Sequence, residues 1–188
     1  MVISVRCERL QLGEWITFGR KKEPFFERNK STVATWPDNV PIATGAFKTV
    51  YRGHYTEGPR NGKECVCKAF TANSESEKQL FEDEARISDR AKEIITYWNR
   101  LKIIDQPVLL NIPEIWDIGT SDDSSEKRLV EPFIDNFEKF NEQSHDSVGA
   151  QGTLWADALQ ALSHFSYHWS SGGFVLCDIQ GGIYKNKL

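Results

Sequence analysis

Three small sets of side chains in this sequence have types and spacings that can do chemistry. Near the end, Asp178 and Gln180 stand two apart in the run Phe174-Val175-Leu176-Cys177-Asp178-Ile179-Gln180-Gly181-Gly182. On an extended backbone alternate residues leave one face, so a carboxylate and an amide would project together, and the paired glycines would let the chain turn after them. Such a carboxylate can work on a proton at a strand exit, or it can cap the turn that follows. A single lysine, Lys68, interrupts the apolar run Cys65-Val66-Cys67-Lys68-Ala69-Phe70. Lysine is depleted in strands and costly to bury unpaired, so it either faces water or reaches under the glycine-containing segment at Gly45 toward a phosphate. His164 and His168 are four apart, a helical spacing at which two imidazoles share a face and can hold one metal. No Glu stands between them in a His-Glu-x-x-His pattern, and two histidines do not make a closed zinc site. Cys65 and Cys67 lack the Cys-x-x-Cys spacing and read as small apolar strand residues.

The elements that must position these groups follow from hydrophobic period. Val2-Ile3-Ser4-Val5 opens as a strand. Trp36-Pro37-Asp38-Asn39 marks a turn, after the basic patch Arg20-Lys21-Lys22 and Pro24-Phe25-Phe26. From Ile42 to Phe70 the pattern is a β-hairpin: one arm to Tyr55, a reversal through Glu57-Gly58-Pro59-Arg60-Asn61-Gly62-Lys63, and a returning arm carrying Lys68. Leu80, Ala85, Ile87, Ala91, Ile94, Ile95 and Trp98 recur at three- and four-residue steps, predicting a helix over 74–99 with one stripe buried against a sheet. Glu84 on this helix is the candidate partner of Lys68. Short strands are expected at Val108-Leu109-Leu110 and Ile115-Trp116-Asp117-Ile118, then an acidic loop over Ser121–Glu126. A further strand, Leu129–Ile134, contains Pro132, which suits an edge or a connector. After a loose stretch to Gly152, a second amphipathic helix spans 154–169, and Gly172-Gly173 turns the chain into the Asp178 strand.

The 188 residues suit one domain or one domain of two unequal lobes, with six Trp and eleven Phe to fill a core. A formal charge of −4 with dispersed Lys and Arg gives no field for nucleic acid. No apolar run approaches the roughly 20 residues that span a bilayer, and the first ten lack a signal-peptide centre. The four cysteines fit a reducing compartment. The expectation is a soluble, cytoplasmic protein that binds neither nucleic acid nor membrane.

Taken in order, Gly45-Ala46-Phe47-Lys48-x-x-Tyr51-Arg52, Cys67-Lys68-Ala69-Phe70, Val130-Glu131-Pro132-Phe133-Ile134, Lys139-Phe140-Asn141, Leu162-Ser163-His164-Phe165-Ser166-Tyr167 and Cys177-Asp178-Ile179-Gln180-Gly181-Gly182 resemble the catalytic domain of alpha-type protein kinases. The resemblance runs from about Ile42 to the end. It implies an α+β, two-lobed, kinase-like fold: an antiparallel N-terminal lobe with connector over 41–134 and an incomplete C-terminal lobe over 135–188; residues 1–40 are read as an N-terminal extension, either separate from the first lobe or part of it. It also implies ATP-dependent phosphorylation of Ser or Thr in a protein substrate. Lys68 would contact the ATP phosphates beside Gly45 and Lys48, with Glu84 supporting it. Glu131 would lie near the adenine, Asp178 would be the catalytic aspartate, Gln180 would help hold Mg2+, and His164 would be the first ligand of a structural Zn2+. His168 matches no ligand.

Two positions depart from the family's pattern: Lys48 stands where Arg is usual, keeping charge without the planar fork, and Gln143 where Asn is usual. The sequence also stops at Leu188, ahead of the family's Asp-Pro metal ligand, its Gly-rich loop and its His-x-Cys-x-x-x-Cys zinc segment. For a chain that ends there, the zinc site cannot close, and the expectation is weak or no transfer. The alternative reading is a non-catalytic kinase-like module that binds nucleotide or a protein.

Overall fold

The computed structural model describes residues 1–9, 33–71, 74–118, 126–140 and 153–184. The expectations for the basic patch at 20–22, Pro24-Phe25-Phe26, the loop at 121–125, Asn141, Gln143 and the stretch to Gly152 lie outside the described residues. In chain order the elements are β1 (Val2–Arg9), β2 (Ala34–Thr35), β3 (Pro41–Thr44), β4 (Lys48–Tyr55), a short 3-10 turn (Gly58–Arg60), β5 (Glu64–Phe70), α1 (Ser74–Leu101), β6 (Leu109–Leu110), β7 (Glu114–Asp117), β8 (Lys127–Pro132), β9 (Glu138–Lys139), α2 (Leu154–Trp169) and β10 (Phe174–Gly182). The class is the expected mixture of antiparallel sheet and helix. The chain divides into two compact units, one made of Pro24–Ala85 and Ile112–Phe133, the other of Met1–Glu23, Arg86–Asn111 and Ile134–Leu188. The division falls inside α1, and β1 belongs to the second of these units.

In the unit built around residues 24–85, the strands run in the order β2-β4-β5-β8-β7, with β3 also paired to β4. The expected hairpin is β4 against β5, in register from Lys48 opposite Phe70 to His54 opposite Glu64. Its reversal needs Gly62, whose φ of +77° suits glycine and few other residues. The arm expected from Ile42 to Tyr55 is not one strand. Gly45-Ala46-Phe47 reverses the chain, with the Gly45 N–H donating to the Lys48 carbonyl at 2.9 Å, and β3 folds back antiparallel on β4. The proline argument for the 129–134 segment also needs correction, because β8 is internal, flanked by β5 and β7. Pro132 is accommodated because β7 pairs only as far as Val130, which leaves that end of β8 bordered by β5 alone. One face of the sheet buries Tyr55, Cys65, Cys67 and Val130 beneath Trp36, Tyr51 and Trp116. The other face carries Lys48, Lys68, Phe70 and Glu131, and Phe81 of α1 meets Phe70 edge-on at 4.9 Å between ring centres.

The second unit has the order β6-β1-β10-β9, with β1 and β6 parallel and the other pairs antiparallel. From Ala91 onward α1 buries Ile94, Ile95 and Trp98 in one core with Leu159 and Leu162 of α2 and Ile3, Leu176 and Ile179 of the sheet. The stripe on α1 therefore packs among helix as well as sheet residues. Each fully buried Leu or Ile contributes roughly 1.5–3 kcal/mol of transfer free energy, so this core is the main source of stability for the unit. Asn99 closes the end of α1 by donating to the Val108 carbonyl at 2.8 Å and accepting from its N–H at 3.0 Å. Leu109 N–H then reaches the Met1 carbonyl at 2.7 Å, which pins β6 to β1. Helix α2 starts at the predicted place because Thr153 caps it, its hydroxyl accepting from Ala156 N–H at 3.1 Å. It ends where Ser171 and Gly172 take φ of +53° and +80°.

Gly181 and Gly182 do not make the turn expected of them. Both continue β10, opposite Ile3 and Val2. A Cβ on Gly181 would lie 2.1 Å from the Val2 carbonyl oxygen, and one on Gly182 would lie 2.5 Å from that of Asp135. Their function is close backbone approach inside the sheet.

Candidate functional site

In the first unit four charged side chains share the face of the sheet that carries Phe70. Lys68 on β5 stands opposite Leu129, so Glu131, two residues further along β8, is its diagonal neighbour on that face. The two form an ion pair, with Lys68 22% and Glu131 7% exposed in their side chains. Lys48 on β4 is paired with Glu84 of α1 at 2.6 Å and lies over the Phe70 ring, 4.9 Å from its centre. Burial pulls the Lys68 pKa down, but the Glu131 carboxylate beside it, and then the field of Glu84, outweigh this and leave it above the ordinary lysine value. Lys68 is thus a fixed, half-dry cation that keeps its charge at neutral pH.

Two sequence expectations change here. The carboxylate in contact with Lys68 is Glu131, and the cation in contact with Glu84 is Lys48. Spacing along α1 identified Glu84 as facing this sheet but could not say which of two lysines, diagonal on neighbouring strands, it would meet. Glu131 is buried as the penultimate residue of β8, two residues before its unit ends at Phe133. Gly45 sits at the β3–β4 reversal.

In the second unit Asp178 does not sit on regular extended backbone. Ser4 pairs with Gln180 while Arg6 pairs with Cys177, so three steps on β10 match two on β1, and one extra residue is bulged out. Asp178 itself has φ +50°, the left-handed region that Asp tolerates better than most side chains. The alternation assumed from sequence therefore breaks at this residue. Asp178 and Gln180 nonetheless remain half-buried on either side of fully buried Ile179. Among the described residues no side chain hydrogen-bonds the Asp178 carboxylate. A bulge at a left-handed residue aims one side chain out of the pleat, and such strain persists only where the surroundings hold it.

β10 is fixed ahead of the bulge by serines to which the sequence reading gave no role. Ser163 Oγ donates to the Leu176 carbonyl at 2.6 Å, and Leu176 N–H donates to Ser166 Oγ at 2.8 Å. Ser170 Oγ accepts from Phe174 N–H at 2.9 Å and donates to its carbonyl at 3.0 Å. Ser163 and Ser166 on the buried side of α2, with Ser170 at its C-cap, thus clasp the first half of β10, leading into the bulge. Their signal was present in the sequence: hydroxyls at three- and four-residue steps along an otherwise apolar stripe.

His164 and His168 are both exposed on α2, with their Nε2 atoms 3.0 Å apart. Among the described residues no group of three or more His, Cys, Asp or Glu is placed to hold a metal. These residues do not fit the closed zinc centre implied by the resemblance. Mg2+ asks less of a protein, usually one or two oxygen ligands with the rest from water and phosphate, and the Asp178 and Gln180 side chains provide oxygens of that kind.

The sequence profile of the alpha-kinase family matches residues 43–188. No curated protein matches the chain. Among solved structures, the inactive alpha-kinase domain of myosin heavy chain kinase A in complex with ATP aligns with a TM-score of 0.62 at 17% identity, covering 79% of this chain and 71% of that one. The C-terminally truncated alpha-kinase domain of myosin heavy chain kinase aligns with a TM-score of 0.64 at 17% identity, covering 80% and 72%. The alpha-kinase domain of myosin heavy chain kinase A in complex with ADP gives 0.61 at 17% identity, covering 80% and 70%. At these identities the likeness is one of fold.

Proposed function

Since the chain belongs to the alpha-kinase family through residues 43–188, we propose that it transfers the γ-phosphoryl group of Mg-ATP to Ser or Thr of a protein substrate. The observation that carries this reading is Asp178: a half-buried carboxylate held at a left-handed bulge, with Gln180 two residues on. Three serines fix β10 at Phe174 and Leu176, just ahead of this residue.

Phosphoryl transfer asks a protein mainly for positioning and charge stabilisation. Lys68 supplies a charge to the phosphates of ATP. Its attachment to Glu131 keeps it extended along the sheet and protonated, and Lys48, held by Glu84, adds a second cation on the same face. Asp178 orients the attacking hydroxyl and accepts its proton as the new O–P bond forms and the bond to ADP breaks. Gln180 would hold Mg2+, which supplies positive charge to the phosphate oxygens when bound. Gly45 would let backbone approach the nucleotide.

The test is transfer from labelled ATP to a library of Ser-, Thr- and Tyr-containing peptides, with and without Mg2+. The expected result is Mg2+-dependent label on Ser or Thr that disappears in Lys68→Ala and Asp178→Ala. Mg-ATP binding without label on any peptide or protein would replace this reading with that of a non-catalytic nucleotide-binding module.

A further inference from the structure

We infer that Ser4 is a positioning residue for Gln180, an inference that rests on the role proposed for Gln180 at Mg2+. Ser4 lies on β1, ahead of the residues 43–188 that the family profile covers, so none of the matched motifs includes it. Its Oγ is shut off from water and, among the described residues, has no hydrogen-bond partner. The large majority of buried hydroxyls are paired, so an orphan of this kind points to a group that can come to it. The sheet register names that group. Ser4 stands directly opposite Gln180 across β1 and β10. Opposed residues of an antiparallel pair project from one face with Cβ atoms about 4.5–5.5 Å apart, within reach of a carboxamide. That face points away from the core of the unit, because Ile3 and Ile179, which precede the two residues, are fully buried on the other side.

A carboxamide has an oxygen that accepts and an NH2 that donates, and Mg2+ takes oxygen. Gln180 therefore serves a cation in one of its two orientations, and something must choose between them. On its other flank Gln180 stands opposite Lys139 of β9. A lysine ammonium only donates and cannot take a hydrogen from Nε2, whereas the Ser4 hydroxyl can. With Nε2 donating to Ser4 Oγ, the Gln180 oxygen is left for the cation. The reverse arrangement, Ser4 donating to the amide oxygen, would present NH2 to a positive ion and is disfavoured once one is bound. The competing acceptor is the Asp178 carboxylate two residues back on β10, and an Nε2 bound there would make Ser4 silent. Orienting partners of this kind fix a ligand without touching the metal.

The experiment compares the unsubstituted chain with Ser4→Ala and Ser4→Thr. Electron paramagnetic resonance reads the affinity for Mn2+, the probe for Mg2+, in the presence of a non-hydrolysable ATP analogue. Amide NMR reads the Gln180 side chain, assigned by the loss of its signal in Gln180→Glu. In Ser4→Ala the expected result is Mn2+ binding weakened about three- to tenfold, as one orienting hydrogen bond is lost. The Gln180 amide resonance should shift in the same variant, and the thermal unfolding midpoint should stay or rise, because a buried hydroxyl has been removed. Ser4→Thr keeps the hydroxyl and should restore Mn2+ affinity to within about twofold. Equal Mn2+ affinity in Ser4→Ala, or a Gln180 resonance indifferent to Ser4, overturns the inference and leaves the kinase reading standing. A lower unfolding midpoint with unchanged Mn2+ affinity makes Ser4 a structural residue and also overturns it. No Mn2+ binding by the unsubstituted chain overturns the kinase reading and this inference together.

Discussion

Removing either partner of the Lys68–Glu131 pair should destabilise its unit unequally, and the inequality can be worked from burial. Breaking a fully buried pair by deleting one partner costs about 3–5 kcal/mol, because the other charge is left without compensation. Glu131, 7% exposed, is near that limit, whereas Lys68 keeps 22% of its side chain in contact with water and has the Glu84 carboxylate in range. Lys68→Met therefore strands the drier charge and should cost about 3 kcal/mol at pH 7, while Glu131→Gln strands the wetter one and should cost about 1–2 kcal/mol. The double variant should cost less than the sum, since neither charge is then stranded. In the unsubstituted chain Lys68 has the raised pKa, so its contribution is present at neutral pH and lost as alkaline pH passes that value. Native-state hydrogen exchange of the β5 and β8 amides reads the free energy of this unit alone. Equal costs for the two single variants, or both below about 0.5 kcal/mol, would show a solvated surface pair and refute the reasoning.

Burial pushes the Cys65 and Cys67 thiols up to about 11 and 12, so neither should react with a thiol reagent at pH 8 in the folded chain, and both should react once urea unfolds it; a Cys7→Ser, Cys177→Ser background isolates these two thiols. Gly181→Ala should cost more than about 3 kcal/mol, because its Cβ would meet the Val2 carbonyl at 2.1 Å and force β1 off β10, as thermal unfolding would record. Ser166→Ala should cost about 1–3 kcal/mol by leaving the buried Leu176 N–H without its acceptor, and should speed exchange of that amide more than that of any amide in β5.

Elements with a strong period were legible in the sequence. Ile94, Ile95, Trp98, Leu159 and Leu162 fall at helical steps, and α1 and α2 appear where those steps placed them, α1 two residues longer. The β4–β5 hairpin was legible because the reversal before β5 needs Gly62 and the arms alternate β-favouring apolar residues with polar ones. Features set by distant partners were not legible. The bulge at Asp178 depends on which β1 residues pair with β10, and nothing local to Asp178 encodes that register. Gly181 and Gly182 looked like a turn because glycine signals conformational freedom and close approach with the same letter. Pro132 looked like an edge marker, yet the short β7 creates a local edge on an internal strand. Of the site, the residue types were readable at Lys68, Glu131, Asp178 and Gln180, while the exchange of partners between Lys48 and Lys68 depended on side-chain geometry that spacing does not fix.

The most direct test of the kinase reading is single-turnover transfer from preformed Mg-ATP complex in the unsubstituted chain and in Asp178→Asn. Asn tolerates the left-handed backbone at this position but cannot accept the proton. The account predicts that Asp178→Asn binds Mg-ATP within about threefold of the unsubstituted chain and transfers phosphate slower by roughly 10²–10⁴-fold. Transfer at an equal rate in Asp178→Asn, from a complex of equal affinity, would contradict it.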